Sequence, residues 1–229
     1  GPCCLSKGNL HNNLDLTQTV AFVGPTGSGK STVANLLLGF YQISQGQILI
    51  DDRPLEMYSL KELRKKIGLV HQDPFLFAGT IRSNITLNDS SLSAEEMEQA
   101  VKWVQADSWI EQLPQQYDQP VKERGSTLST GERQLISLAR TLVRKPKILI
   151  LDEATANIDT ETEEKIKAAL DLATQNRTVV MIAHRLSTVE EADQIFVLYK
   201  GEIVEQGTHQ DLLTLGGLYK KMYQLQRGE

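Results

Sequence analysis

The stretch Gly24-Pro25-Thr26-Gly27-Ser28-Gly29-Lys30-Ser31-Thr32 constrains this chain more than any other, because it fits G-x-x-x-x-G-K-[ST] at a junction of two elements. The apolar run Val20 to Val23 predicts a buried strand feeding the loop, and Val33 to Leu38 begins a helix packed on that strand. A loop in that setting holds anions through its backbone. Glycines let successive N–H groups approach without Cβ obstruction, and the helix start adds the positive end of its dipole. Lys30 is placed to reach β- and γ-phosphates, and the Ser31 hydroxyl to face Mg²⁺.

The rest of the chain reads as a sheet built around that loop. Lys147 to Leu151 is an apolar run too short for a helix and ends in Asp152-Glu153, which predicts a central parallel strand with carboxylates at its C-terminal end. Open α/β sheets bind ligands at that edge. Thr160 to Thr174 predicts a helix, Thr178 to Ala183 a buried strand closed by His184, and Ile195 to Tyr199 with Ile203 to Glu205 a hairpin turning at Lys200-Gly201. The tail from His209 to Gln226 reads as helical.

Upstream, Leu14 to Leu16 and Thr19 to Val23 are strand candidates. Gln47 to Ile50 reads as a strand of an antiparallel layer, ended by a turn at Asp51-Asp52-Arg53-Pro54. Ser59 and Glu62 have capping-box spacing for a helix to Lys66, and Ile67 to Val70 follows as a strand. From His71 to Lys145 helical periodicity dominates between prolines. Ala94 to Val104 is one helix there, and Trp103 and Trp109 read as packing residues because no basic residues interleave with them. Leu128-Ser129-Thr130-Gly131-Glu132 opens a second helix with Leu135, Leu138, Ala139, Leu142 and Val143 on its apolar face. The expected fold is α/β: a P-loop NTPase core with a mostly parallel sheet, an antiparallel β subdomain and an α-helical subdomain. Residues 1–72 and 146–229 are assigned to the core and β subdomain, and 73–145 to the helical one.

Composition narrows the partners. A chain of 229 residues builds a core without disulfides, and a net charge of −5 gives no basic footprint, so nucleic acid is not expected. Adjacent Cys3 and Cys4 are poorly placed to bridge each other, which suits a reducing compartment. No stretch approaches the roughly 18 apolar residues of a membrane span. Gly1-Pro2 matches the scar of a tag-removing protease and suggests an excised domain.

A phosphate-binding loop and a carboxylate-ended strand indicate an NTPase. Four further pieces are Gln72 after the Ile67 to Val70 strand, Leu128-Ser129-Thr130-Gly131-Glu132 opening a helix, Glu153 directly after Asp152, and His184 closing a core strand. Together, from about Val20 to the C-terminus and in this order, they resemble the nucleotide-binding domain of ATP-binding cassette (ABC) transporters. Arg140, Thr141, Ala156-Asn157-Ile158-Asp159 and Ile182-Ala183-His184-Arg185 are similar to that family too. Phe75 to Ile85 and Glu123-Arg124-Gly125 are similar to exporters of the multidrug-resistance type.

The resemblance implies ATP and Mg²⁺ as ligands, with Gly24, Pro25, Thr26, Gly27, Ser28, Gly29, Lys30, Ser31 and Thr32 holding ATP. Ser31, Gln72 and Asp152 would surround the metal, Glu153 would orient the attacking water, and His184 would hydrogen-bond the γ-phosphate. Ser129, Thr130, Gly131 and Glu132 would act in trans, on ATP held by a second nucleotide-binding domain. A transmembrane domain is the other implied partner, with Gln72 linking to it, and the cytoplasmic face of the cell membrane is the implied location. The chain departs from the family's L-S-G-G-Q at Thr130 and Glu132. Bulk and a carboxylate near a γ-phosphate predict a weakened signature. Glu153 is intact, and that combination favours a heterodimeric exporter over a homodimer. The aromatic residue on which the family stacks adenine would fall at or before Gly1, and Tyr41 and Tyr58 lie on the wrong side of the loop. Two other readings are a regulatory ATP-binding module with weak hydrolysis and a DNA-repair type ABC ATPase. Intact Glu153, Gln72 and His184 weigh against the first, and the lack of an interrupting heptad array against the second.

Overall fold

The computed structural model describes residues 17–71, 74–152, 160–183 and 185–228. Gln72, Glu153, the stretch Ala156 to Asp159, His184 and the strand expected at Leu14 to Leu16 lie outside the described residues. The chain divides into two compact units, Gly1–Ile67 with Ile148–Glu153 and Thr178–Glu229, and Gly68–Lys147 with Ala154–Arg177.

The first unit is organised on a sheet in which the strands follow the order Glu202–Gly207, Gln194–Tyr199, Thr19–Val23, Thr178–Ile182, Ile148–Asp152. All neighbours are parallel except the Glu202–Gly207 edge, which returns from Gln194–Tyr199 as the expected hairpin, with Lys200 (φ 52°) and Gly201 (φ 84°) in its turn. Phe22 lies opposite both Ile182 and Phe196, and Asp152 lies opposite Ile182. The C-terminal ends of Thr19–Val23, Thr178–Ile182 and Ile148–Asp152 are therefore level. Leu149, Ile150, Leu151, Val179, Val180 and Ile182 are buried, as expected of strands covered on both faces. Ala21, Val23, Ile195 and Val197 pack with Leu186, Val189, Leu212 and Tyr219. Truncating a fully buried leucine such as Leu212 to alanine would cost about 2–5 kcal/mol.

The tail is two helices rather than one. Gly216 (φ 71°) caps His209–Leu215 in the left-handed region, and Leu218–Arg227 starts afresh after Gly217. A Cβ on Gly217 would collide with the Glu205 carboxylate, which accepts from the N–H groups of Leu218 and Tyr219. The antiparallel layer also differs from expectation. Its strands are only Leu49–Ile50 and Arg53–Pro54, so Arg53-Pro54 is the return strand and not part of the turn. Asp51 (φ 51°) and Asp52 (φ 58°) make the left-handed two-residue turn that matches the twist of a tight hairpin. Leu60–Lys66 follows with the expected capping box between Ser59 and Glu62.

In the second unit, Thr130–Leu142 packs on Ile81–Thr86, Ala94–Trp103 and Thr160–Thr174. Its residues Leu135, Ile136, Leu138, Ala139 and Leu142 are buried, as is Val143 beyond it. A two-stranded ribbon, Gly79–Thr80 against Pro120–Val121, was not legible in the sequence. Trp103 and Trp109 are half-buried, and the indole N–H of Trp109 is buried without a hydrogen-bond partner among the described residues. Among the described residues no helix is long and apolar enough to cross a membrane.

Candidate nucleotide site

Val23 ends the central strand of the first unit, and the chain leaves it at Gly24 (φ 152°). A side chain there would be strained, and its Cβ would drive into the carbonyl oxygen of Leu198 on the adjacent strand. Gly27 (φ 78°) and Gly29 (φ 107°) continue the left-handed path, and Gly29 is the N-cap of Lys30–Leu37. The carbonyl of Ser28 accepts from the Gly201 N–H at 2.9 Å, so the hairpin turn after Tyr199 braces the loop from behind. The sequence signals that turn but not its use as a support.

Lys30 is only 4% exposed, and its Nζ donates to the carbonyls of Gly24 at 2.7 Å and Pro25 at 3.1 Å. The two carbonyls hold the Lys30 ammonium against the backbone of the loop. Ser28 is 3% exposed and its hydroxyl has no hydrogen-bond partner among the described residues. Pro25, Thr26 and Gly27 form an exposed rim, and a Cβ on Gly27 would meet nothing. Ser31 is exposed and Thr32 half-buried on the first helical turn, where the Thr32 N–H donates to Gly29 O at 3.0 Å. The set fits a polyphosphate: a concave backbone, one buried cation, a helix N-terminus and an unsatisfied hydroxyl.

Asp152 ends its strand half-buried at the level of Ile182, on the same edge of the same unit as Gly24. A carboxylate and the Ser31 hydroxyl are hard oxygen donors of the kind that suit Mg²⁺ shared with phosphate. Glu153 and His184 lie outside the described residues, but Asp152 and Ala183 before them are held at this edge. The Ala183 N–H donates to Phe22 O at 3.1 Å.

Ser129, Thr130, Gly131 and Glu132 belong to the second unit. Ser129 is the N-cap of Thr130–Leu142: its Oγ accepts from the Glu132 N–H at 3.2 Å, and the Glu132 carboxylate accepts from the Ser129 N–H at 2.7 Å. That carboxylate is thus turned back onto its own helix start. Thr130 takes the first helical position, and its Oγ1 accepts from Arg133 Nη2 at 3.1 Å, while Arg133 Nη1 donates to Leu128 O at 3.0 Å. Further along the helix, Arg140 Nε donates to Asn84 O at 2.6 Å, Nη2 to Asn84 Oδ1 at 2.9 Å and Nη1 to Phe75 O at 2.8 Å. Burial, followed by the charge of Arg144, lowers the Arg140 pKa to about 10. Asn84, 1% exposed, also bonds both the N–H and the carbonyl of Phe77. Sequence reasoning did not single out Asn84, which stands there between Ser83 and Ile85.

The sequence model described as "ABC transporter" matches residues 8–156. The ABC transporter ATP-binding protein exp8 of Streptococcus pneumoniae is 56% identical over 232 residues, covering 98% of this chain and 40% of that protein. The multidrug resistance-like ATP-binding protein MdlB of Buchnera aphidicola is 50% identical over 225 residues, covering 96% of this chain and 39% of that protein. The chain thus spans well under half the length of these relatives. A solved structure of a bacterial Atm1-family ABC exporter with ATP bound superposes with a TM-score of 0.85 at 44% identity, over 93% of this chain and 37% of that one.

Proposed function

This chain belongs to the ABC transporter family, and on that premise we propose that it is the Mg²⁺-dependent ATPase cassette of an export pump, working by closing on a second cassette around ATP. The observation that carries the reading is the buried Lys30 ammonium, held on the Gly24 and Pro25 carbonyls beside the unsatisfied Ser28 hydroxyl. Bound Mg·ATP supplies the phosphoanhydride to be broken. Gly24 to Thr32 would bind its phosphates, and Ser31, Asp152 and Gln72 would hold the cation, which offsets phosphate charge when bound. Glu153 orients the attacking water and accepts its proton, and His184 steadies the γ-phosphate.

The multidrug resistance-like name of MdlB supports export as the work done. The partners are a transmembrane domain and a second cassette, and the place is the cytoplasmic face of the membrane. The heterodimer is the preferred assembly. Its support is the combination of Glu153 with Thr130 at the helix start meant to meet a γ-phosphate; the Glu132 carboxylate there is turned back onto the Ser129 N–H.

The test is the mass in solution of the Glu153→Gln chain, by light scattering, with and without Mg·ATP. A monomer that binds ATP and dimerises only with a partner cassette supports the heterodimer. An ATP-dependent dimer of this chain alone replaces it with a homodimer. A chain that binds no ATP overturns the reading.

A further inference from the structure

The second unit carries a cavity of about 580 Å³ that Pro74, Phe75, Arg124, Ser126 and Arg133 line among the described residues. That volume suits a small molecule. Two of these side chains are guanidiniums and none is a carboxylate; Glu123, next to Arg124 in the chain, is not among them. Arg133 is set in place by its own surroundings. Its stem runs over Gly125 (φ 67°), where a Cβ would fall 2.7 Å from Arg133 Cδ, and its Nη1 and Nη2 donate to Leu128 O and Thr130 Oγ1. No hydrogen bond among the described residues occupies its Nε.

Arg124 lies in the left-handed region (φ 57°), an uncommon state for a long side chain, and its N–H donates to Leu76 O at 3.0 Å. Its exposed guanidinium takes part in no ion pair or hydrogen bond among the described residues. An unpaired cation carried into a cavity on a costly backbone conformation points to a ligand of opposite charge. Phe75 adds a flat wall. Its ring stands edge to face with Phe77, 5.1 Å away, and Arg140 Nη1 holds its carbonyl at 2.8 Å.

We propose that this cavity binds a small phosphate monoester bearing an aromatic ring, with Arg124 and Arg133 on the phosphate, the Ser126 hydroxyl donating to it and Phe75 against the ring. A phosphate monoester carries about two negative charges at neutral pH, which two guanidiniums neutralise, and the guanidinium fork matches its oxygens. A single carboxylate would leave one of the two cations unpaired. Occupation also bears on the signature, because Arg133 holds both Leu128 and Thr130.

The test titrates the whole chain, loaded with Mg·ADP to fill the phosphate loop, with phenyl phosphate as the probe and the Nε–H resonances of Arg124 and Arg133 as the readout. Both resonances shift saturably, and phenyl phosphate binds about fivefold more tightly than inorganic phosphate, the worth of one ring contact. Arg124→Gly, which suits the left-handed backbone, keeps a melting temperature close to the parent's and weakens binding about tenfold. Arg124→Asn, which tolerates the same backbone, shows the same loss. Phe75→Leu brings phenyl phosphate down to the affinity of inorganic phosphate. Shifts that do not saturate, equal affinity for the two probes in the parent chain, or binding undiminished in both Arg124 variants overturn the proposal. Tighter binding of a phosphotyrosyl peptide than of phenyl phosphate overturns the small-molecule source in favour of a protein partner.

Discussion

The guanidinium of Arg140 binds Asn84 twice, once at the main-chain carbonyl and once at the side-chain oxygen, and so ties the last turn of Thr130–Leu142 to the middle of Ile81–Thr86. Its remaining nitrogen holds the carbonyl of Phe75, and its carbon lies 5.7 Å from the centroid of the Phe77 ring. Phe75 and Phe77 stand edge to face, 5.1 Å apart, and are about half exposed. Arg140 thereby presents an aromatic pair at the surface of the second unit. A lysine offers no planar fork for three carbonyl-type acceptors. Arg140→Lys should destabilise the chain by about 1–3 kcal/mol, read as a lower urea midpoint, and should raise proteolysis near Phe75.

Two glycines of the phosphate loop should respond differently to the same substitution. Gly24→Ala sets a Cβ against the Leu198 carbonyl and should abolish ATP binding together with some folding stability. Gly27→Ala meets open space, but its φ of 78° still opposes a side chain. A cost of about 1–2 kcal/mol in stability is expected there, with weakened ATP affinity. Calorimetric titration with Mg·ATP beside thermal melts checks both.

The signature helix gives a third test. Glu132→Ala removes the carboxylate that caps Ser129, and about 0.5–2 kcal/mol of stability should go with it. Thr130→Gly combined with Glu132→Gln should raise cooperative ATPase activity if this signature is weakened. Steady-state turnover against ATP concentration measures the cooperativity, and an unchanged Hill slope would count against the weakness.

Acid should unfold the chain through its capping carboxylates. Glu62 lies below its ordinary 4.5 through the N–H and then the hydroxyl of Ser59. Glu96 lies below 4.5 through Lys145 and then the Ser93 N–H, and Asp211 below 3.8 through the Thr208 hydroxyl and then its N–H. A carboxyl whose folded pKa is depressed contributes stability that is present above its unfolded value and lost as pH falls through the folded one. Melting temperature should therefore hold down to about pH 4.5 and drop below it. The triple variant Glu62→Gln, Glu96→Gln, Asp211→Asn should show a shallower drop.

The elements legible in the sequence were those fixed by local rules. The strand from Thr19, the helix from Thr160 and the capping box at Ser59 follow from apolar periodicity and from side chains that bond their own backbone. The break at Gly216-Gly217 was missed because the apolar pattern runs through it. It depends on Glu205, which arrives from a strand outside the tail. Within the site, Gly24 to Thr32 and Asp152 could be read because their chemistry lies in contiguous residues. The brace from Gly201 and the clamp of Arg140 on Asn84 join residues far apart in the chain. No local pattern encodes them.

The central strand of the first unit has both its neighbours late in the chain: Thr19 pairs with Val179, and Val20 with Gln194. During synthesis the strand before the phosphate loop stays unpaired until Thr178–Ile182 and Gln194–Tyr199 have followed. Closing so long a loop is entropically slow, and the waiting apolar strand is a template for mispairing. ATP can thus stabilise only a chain that has been made through Gln194–Tyr199, and a nascent chain arrested before Gln194 should neither bind nucleotide nor stay soluble without a chaperone.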